Sequence, residues 1–364
     1  MPYPRDAVLA LEPYAWETPS WQIARQYGLR PEEVVRMDLN TSPYTPVRWL
    51  RSLSRTLTGI RVNEYPDTSY THLREKLSEY TNVPAQDIMV TNGADEAIEI
   101  ICKTYVERGR EVILSTPTYS YLRVASEIMG GRVVAVPRRP DFSDDVDGIL
   151  AAVKPNTSII FFCSPNNPTG NLLPAPSLKR VLEEFRGLVV VDEAYYEYCG
   201  QTAADLLPNH RNLAVVRTFS KAWSLAGARV GYIMAGEEVM EQLNRVRPPN
   251  SLSVISLSLA ATALDHKTVV KMWVRKIVEE RERVFRELKA LDGVEPYPSE
   301  GNFLLMRLQS HDAEKIHTEL MRRGLVLRNL SSNPQLRNCL RLTISTRRNN
   351  DRLLRRLRDL LTDR

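Results

Sequence analysis

From about residue 86 the chain repeats one pattern, a short apolar, largely β-branched run followed by an amphipathic stretch. The runs are Asp87-Ile88-Met89-Val90, Glu111-Val112-Ile113-Leu114, Arg132 to Val136, Ser158 to Cys163, Leu188 to Val191, Leu213 to Val216 and Val230 to Ala235. Several are apolar throughout, with no alternation of apolar and polar residues. A strand of that kind is solvated on neither face, which suits a mostly parallel central sheet with helices on both sides. Reading the runs as buried helix fits less well, because they are short and β-branched. Between the first two runs, Asp95 to Tyr105 reads as a helix with Ala97, Ile98, Ile101 and Cys102 on one face. The expected fold class is therefore α/β.

A chain of 364 residues exceeds what one core usually serves, so a second, smaller α+β domain is expected. The texture changes after about residue 246. A charged helical pattern covers Thr268 to Ala290, strand-like runs follow at Asn302 to Met306 and Leu340 to Ile344, and a basic amphipathic helix covers Asn350 to Leu361. The break is placed at Arg247-Pro248-Pro249. This divides the chain into an N-terminal arm (residues 1–39, with a helix near Trp21 to Tyr27) packing on the small domain, a large cofactor-binding domain (40–247) and a small C-terminal domain (248–364).

Composition excludes several function classes. The net charge of +5 is too mild to demand a nucleic-acid partner. Cys102, Cys163, Cys199 and Cys339 form no CxxC pair, and three lie in apolar runs, so free thiols are expected rather than disulfides. The five histidines have no metal-ligand spacing, so no metal site is expected. The first residues lack a basic segment before an apolar core, and no apolar run approaches the roughly 20 residues of a membrane span. A soluble cytoplasmic protein is expected. A nucleic-acid role for the basic C-terminal helix is weighed and set below a docking role, because Leu353, Leu354, Leu357, Leu360 and Leu361 form a packing face.

In open α/β sheets, ligands sit beyond the carboxyl ends of the strands. Those ends carry Thr91-Asn92-Gly93-Ala94-Asp95-Glu96, Ser115-Thr116-Pro117-Thr118-Tyr119, Ser164-Pro165-Asn166-Asn167-Pro168-Thr169-Gly170, Asp192-Glu193-Ala194-Tyr195 and Arg217-Thr218-Phe219-Ser220-Lys221, with Arg229 eight residues further on. Together they meet the needs of a ring aldehyde carrying a phosphate. Lys221 is the amine nucleophile, scarce in a chain with 39 arginines and 10 lysines. Asp192 can keep a pyridine nitrogen protonated. Asn167 and Tyr195 can donate to a phenolic oxygen. Ala94 and Asp95 at a helix start, with Ser220 and Arg229, suit a phosphate, and Tyr119 can stack on a ring. Each residue alone has an ordinary structural reading; the ordered set is what points to chemistry.

The segments NGADEAIE, SPNNPTG, VVVDEAYYEY and TFSKAWSLAGARVGY resemble the fold-type I pyridoxal-phosphate aminotransferases, and within them the histidinol-phosphate aminotransferases. The resemblance runs nearly end to end. It implies pyridoxal 5′-phosphate on Lys221, which would also shuttle the proton, with catalytic roles for Asp192 and Tyr195. It implies that Arg341 grips the α-carboxylate of glutamate or 2-oxoglutarate, while Arg328 and Tyr14 bind the phosphate of histidinol phosphate. Tyr65 would reach the cofactor phosphate of a partner subunit, giving a homodimer with composite sites. The chain departs from the family at Asn40-Thr41-Ser42-Pro43, which lacks the usual carboxylate, and at Ser345, where the family has glycine. The alternatives are an aromatic or broad-range aminotransferase and a threonine-phosphate decarboxylase-like enzyme.

Overall fold

A computed structural model describes residues 2–11 and 17–362. The seven apolar runs form one seven-stranded sheet: β1 (Ile88–Thr91), β2 (Glu111–Thr116), β3 (Arg132–Pro137), β4 (Thr157–Cys163), β5 (Leu188–Asp192), β6 (Leu213–Thr218) and β7 (Gly231–Ala235). Their spatial order is β1-β7-β6-β5-β4-β2-β3. The pairs from β6 through β5, β4 and β2 to β3 are parallel. Consecutive residues of β5 supply opposite faces: Val189 and Val191 enter one core and Val190 the other. All three are at most 1% exposed, and each contributes roughly 1.5–3 kcal/mol of burial. Two-sided burial is the reason the sequence shows no alternation.

Two strands differ from the general pattern. β7 runs antiparallel to both neighbours. Only a loop with the short turn Ala226–Ala228 separates it from β6, without the helix that usually carries the crossover to a parallel strand. β3 pairs only with β2 and is partly exposed. Its last residue, Pro137, sits on this edge strand, where no donor is missed.

A second, antiparallel sheet has the order β10-β11-β9-β8, from β8 (Val294–Tyr297), β9 (Phe303–Leu308), β10 (Arg328–Asn329) and β11 (Cys339–Thr343). The helix Lys267–Lys289 packs on β8 and β9. The C-terminal helix, Arg347–Thr362, buries Leu353, Leu354 and Leu357. Three of its arginines face carboxylates, Arg347 with Glu280, Arg356 with Asp359 and Arg358 with Glu287. Its apolar face is thus a docking face. Among the described residues, no helix is long and apolar enough to cross a membrane.

Near the N-terminus, Val35–Arg36 pairs in parallel with Leu325–Val326. The chain then continues along β11, where the Thr343 amide donates to the Met37 carbonyl at 2.7 Å. That course carries Asp38, Leu39 and Asn40 over the carboxyl ends of the large sheet's strands.

Candidate active site

Asp192 is the last residue of β5, and Lys221 follows β6. Adjacent parallel strands bring these two ends side by side. The Lys221 ammonium donates to the Leu39 carbonyl at 3.2 Å and lies 5.8 Å from the centre of the Tyr195 ring. Burial lowers its pKa to about 8, helped by the nearby Arg341 charge, while Asp95 and Asp192 pull the other way. A useful fraction of the amine is therefore neutral, and nucleophilic, near neutral pH.

Asp192 is 3% exposed. Its Oδ1 accepts from the Ala194 amide at 3.0 Å, whereas among the described residues Oδ2 has the Cys163 thiol alone, at 4.0 Å. Burial raises this carboxyl to about 7, the Ala194 bond and the Lys221 charge only partly opposing it. A carboxylate kept this poorly solvated is an acceptor waiting for a buried cationic N–H.

Tyr195 and Asn167 meet from opposite sides. The Tyr195 hydroxyl accepts from Asn40 Nδ2 at 2.9 Å, and its ring packs edge-on against Phe303 at 5.1 Å. Asn167 Oδ1 accepts from Arg341, which leaves the Asn167 amide nitrogen as the donor for a ligand. The turn holding Asn167 is built by its neighbour: buried Asn166 bonds the Pro117 carbonyl, Thr169 and Thr118. This turn and the one before it contain the cis bonds Thr116–Pro117, Ser164–Pro165 and Asn167–Pro168.

The predicted phosphate residues also converge. The helix Gly93–Tyr105 begins directly beyond β1, and its first-turn amides have no intrahelical partner. The Asp95 carboxylate accepts from the Tyr119 hydroxyl at 2.9 Å and pairs with Arg229 at 3.1 Å. Its side chain therefore orients Tyr119 and Arg229, and its contribution toward an anion is the backbone amide. Gly93 is required here: its φ is +84°, and a Cβ would lie 2.7 Å from an Arg229 nitrogen. Ser220 lies in the adjacent loop, its amide and hydroxyl bound to Thr218 Oγ1.

Behind these loops is a buried layer that sequence reasoning did not assign. Arg217 pairs with Glu193 at 2.9 Å, both nearly fully buried, and stacks on Tyr196. Trp223 donates to Glu197 at 2.7 Å, tying the Lys221 loop to the Tyr195 loop.

On the small-sheet side, Arg341 lies in β11 directly opposite Arg328 in β10. Arg341 donates to Asn167 and to the Asp38 carbonyl, and is 8% exposed. Arg328 pairs with Glu17 at 3.4 Å. Tyr65 is 84% exposed and stands apart from the site within one chain. Tyr14 lies outside the described residues.

Asn40 belongs to the site although the sequence marked it only as part of a departing motif. It adopts φ +53°, its side chain bonds Tyr195 and Thr343, and its carbonyl accepts from Asn302 at 3.0 Å. The only local signal was an asparagine, one of the few residues that tolerate the left-handed region.

An amine nucleophile, a buried acid, an anion cradle and a paired arginine set define a site for amino-group chemistry. The chain belongs to the aminotransferase class I and II family, whose model matches residues 32–357. It is similar to the histidinol-phosphate aminotransferase of Caldanaerobacter subterraneus subsp. tengcongensis, 36% identical over 90% of this chain and 93% of that one. It is also similar to the histidinol-phosphate aminotransferase of Methanocaldococcus jannaschii, 34% identical over 98% and 97%. Among solved structures, the histidinol-phosphate aminotransferase of Sinorhizobium meliloti in complex with pyridoxal-5′-phosphate superimposes with a TM-score of 0.87, at 26% identity over 98% and 96% of the two chains.

Proposed function

We propose that the protein is a pyridoxal 5′-phosphate-dependent aminotransferase that moves an amino group between histidinol phosphate and 2-oxoglutarate, yielding imidazole acetol phosphate and glutamate. The observation that supports this is the placement of the Lys221 amine and the buried Asp192 carboxyl at the carboxyl ends of adjacent parallel strands, with the amine lowered to about 8 and the acid raised to about 7. The donor set fits the cofactor. The first-turn amides at Ala94 and Asp95, Ser220 and Arg229 suit its phosphate, the under-solvated Asp192 Oδ2 suits a protonated ring nitrogen, and the Asn167 amide and Tyr195 hydroxyl suit its ring oxygen. When bound, the cofactor supplies an electron sink for the substrate's Cα. Lys221 would accept the proton from the substrate's Cα, Tyr119 would cover one face of the ring, and Arg341 would hold the α-carboxylate of glutamate or 2-oxoglutarate. Arg328, with Tyr14, serves the substrate's phosphate. Tyr65, exposed in one chain, serves the cofactor phosphate of a partner subunit in a homodimer. The substrate assignment is supported by relatives that are themselves histidinol-phosphate aminotransferases.

The test combines trapping and a donor panel. Borohydride reduction of the holoenzyme followed by peptide mapping is expected to label Lys221. Histidinol phosphate, phenylalanine and threonine phosphate are then compared by kcat/KM with 2-oxoglutarate. Preference for phenylalanine, or carbon dioxide release from threonine phosphate, would overturn the substrate assignment. Labelling elsewhere would overturn the site.

A further inference from the structure

Arg328 and Arg341 face each other in register on adjacent antiparallel strands, an arrangement that destabilises a sheet unless an anion offsets it. Arg341 is held by two neutral acceptors, Asn167 Oδ1 and the Asp38 carbonyl, and burial, joined by the nearby Arg328 charge, pushes its pKa down. Arg328 is offset by a carboxylate from far away in sequence: Glu17 Oε1 lies 3.4 Å from Arg328 Nη1. This stretch of the arm is seated independently of that contact. Arg36 donates to the Thr18 carbonyl at 2.9 Å, is itself locked by both Asp38 oxygens at 2.8 and 2.6 Å, and feels the Glu17 charge.

We propose that Glu17 is an internal anionic latch on the substrate-phosphate subsite, a specificity-determining carboxylate that a phosphorylated substrate displaces from Arg328. The inference rests on the reading of Arg328 as that subsite. The pair is partly solvated, with side-chain exposures of 39% and 30%, so it is a weak, screened contact. Such a contact persists in the absence of substrate and yields to a ligand of higher charge. A phosphate dianion offers Arg328 more charge and more acceptor oxygens than one carboxylate. An amino donor lacking phosphate leaves the latch closed and gains nothing from Arg328. Weakly bound inorganic phosphate has to compete with Glu17, so the latch lowers affinity for the free anion and reserves the subsite for substrates anchored elsewhere as well.

The experiment uses holoenzyme with its cofactor bound, so that added inorganic phosphate cannot occupy the cofactor cradle. Two quantities are read: inhibition by inorganic phosphate competing with the amino donor, and the phosphate concentration that half-maximally raises Tm. Glu17→Gln is expected to strengthen phosphate inhibition about fivefold, to lower the half-maximal concentration in the thermal assay by a similar factor, and to lower KM for histidinol phosphate more than for phenylalanine. Glu17→Ala serves as a second variant, in case glutamine disturbs the arm. Arg328→Ala is expected to abolish phosphate sensitivity in both assays. If neither Glu17 variant gains phosphate affinity while Arg328→Ala loses it, the latch is refuted and the subsite reading stands. If Arg328→Ala keeps wild-type phosphate sensitivity, the subsite reading falls and the latch falls with it.

Discussion

Replacing Asp192 by asparagine should stabilise the cofactor-free protein while disabling the enzyme. The carboxyl is raised from 3.8 to about 7, with burial the first cause. At about 1.4 kcal/mol per tenfold change in proton affinity, that corresponds to roughly 4 kcal/mol of strain above neutral pH. Asparagine keeps an oxygen for the Ala194 amide, so the local bond survives. Some of the gain is lost because Asp192 helps keep Lys221 charged. The expected net effect at pH 8 is therefore about 2–3 kcal/mol of added stability for the apoprotein. The sign follows from linkage. A carboxyl that holds its proton more tightly when folded makes the folded state favourable at low pH, and stability drains away as pH rises from about 4 through about 7. Lys221 acts over a different window, its cost lifting only as pH rises above about 8. The assay is the difference in Tm between cofactor-stripped wild type and Asp192→Asn at pH 4.5 and at pH 8. The gap is expected to be roughly a quarter of its full size at the lower pH, where the unfolded-state carboxyl is already mostly ionised, and several degrees in favour of the variant at the higher. Turnover by the holoenzyme should fall at least about a hundredfold, as for other losses of a preorganised charge. An apo variant less stable than wild type at pH 8, or a gap that does not change with pH, would refute the claim that Asp192 is a strained acid kept for its function.

Gly93→Ala puts a methyl group 2.7 Å from Arg229 at φ +84°. It should cost about 1–2 kcal/mol of stability and weaken cofactor affinity about tenfold, measured by equilibrium dialysis. Glu193→Gln removes the one carboxylate in direct contact with buried Arg217 among the described residues, leaving Thr202, the Tyr196 ring and the nearby Tyr232 and Glu197; a loss of about 3 kcal/mol is expected, read from chemical denaturation. Arg341→Gln removes the charge proposed for the α-carboxylate of glutamate and of 2-oxoglutarate, the two ends of one half-reaction. It should cut kcat/KM for glutamate and for 2-oxoglutarate together by about a hundredfold or more, and a fall in only one of them would contradict a shared subsite.

Legibility varied along the chain for identifiable reasons. The large sheet could be read because two-sided burial leaves unbroken apolar runs, as in β5 and β6. Lys221, Asp192 and Asn167 stood out because each follows such a run at its carboxyl end, where chemistry collects. The antiparallel direction of β7 left no trace in its own composition; it depends on the short connection from β6. The partial exposure of β3 was equally hidden, since an edge strand and a central one can share the same residues. Asn40, Asp38 and Glu17 were not assigned roles because nothing in their neighbours announces a site. Asn40 reaches Tyr195 and Thr343, the latter 303 residues away, and Glu17 reaches Arg328 across 311.

The sequence by itself determined the α/β class and the set of strand ends at which ligand-binding groups cluster. These follow from periodicity and turn chemistry, which act over a few residues. The electrostatic state of those groups emerges from the three-dimensional packing: Asp192 is buried with no cation in direct contact among the described residues, Lys221 leans on the Leu39 carbonyl, and Arg328 is offset by a carboxylate from the N-terminal arm. Solvation and charge pairing depend on what lies within a few ångströms in space, and the chain supplies those neighbours from positions hundreds of residues apart.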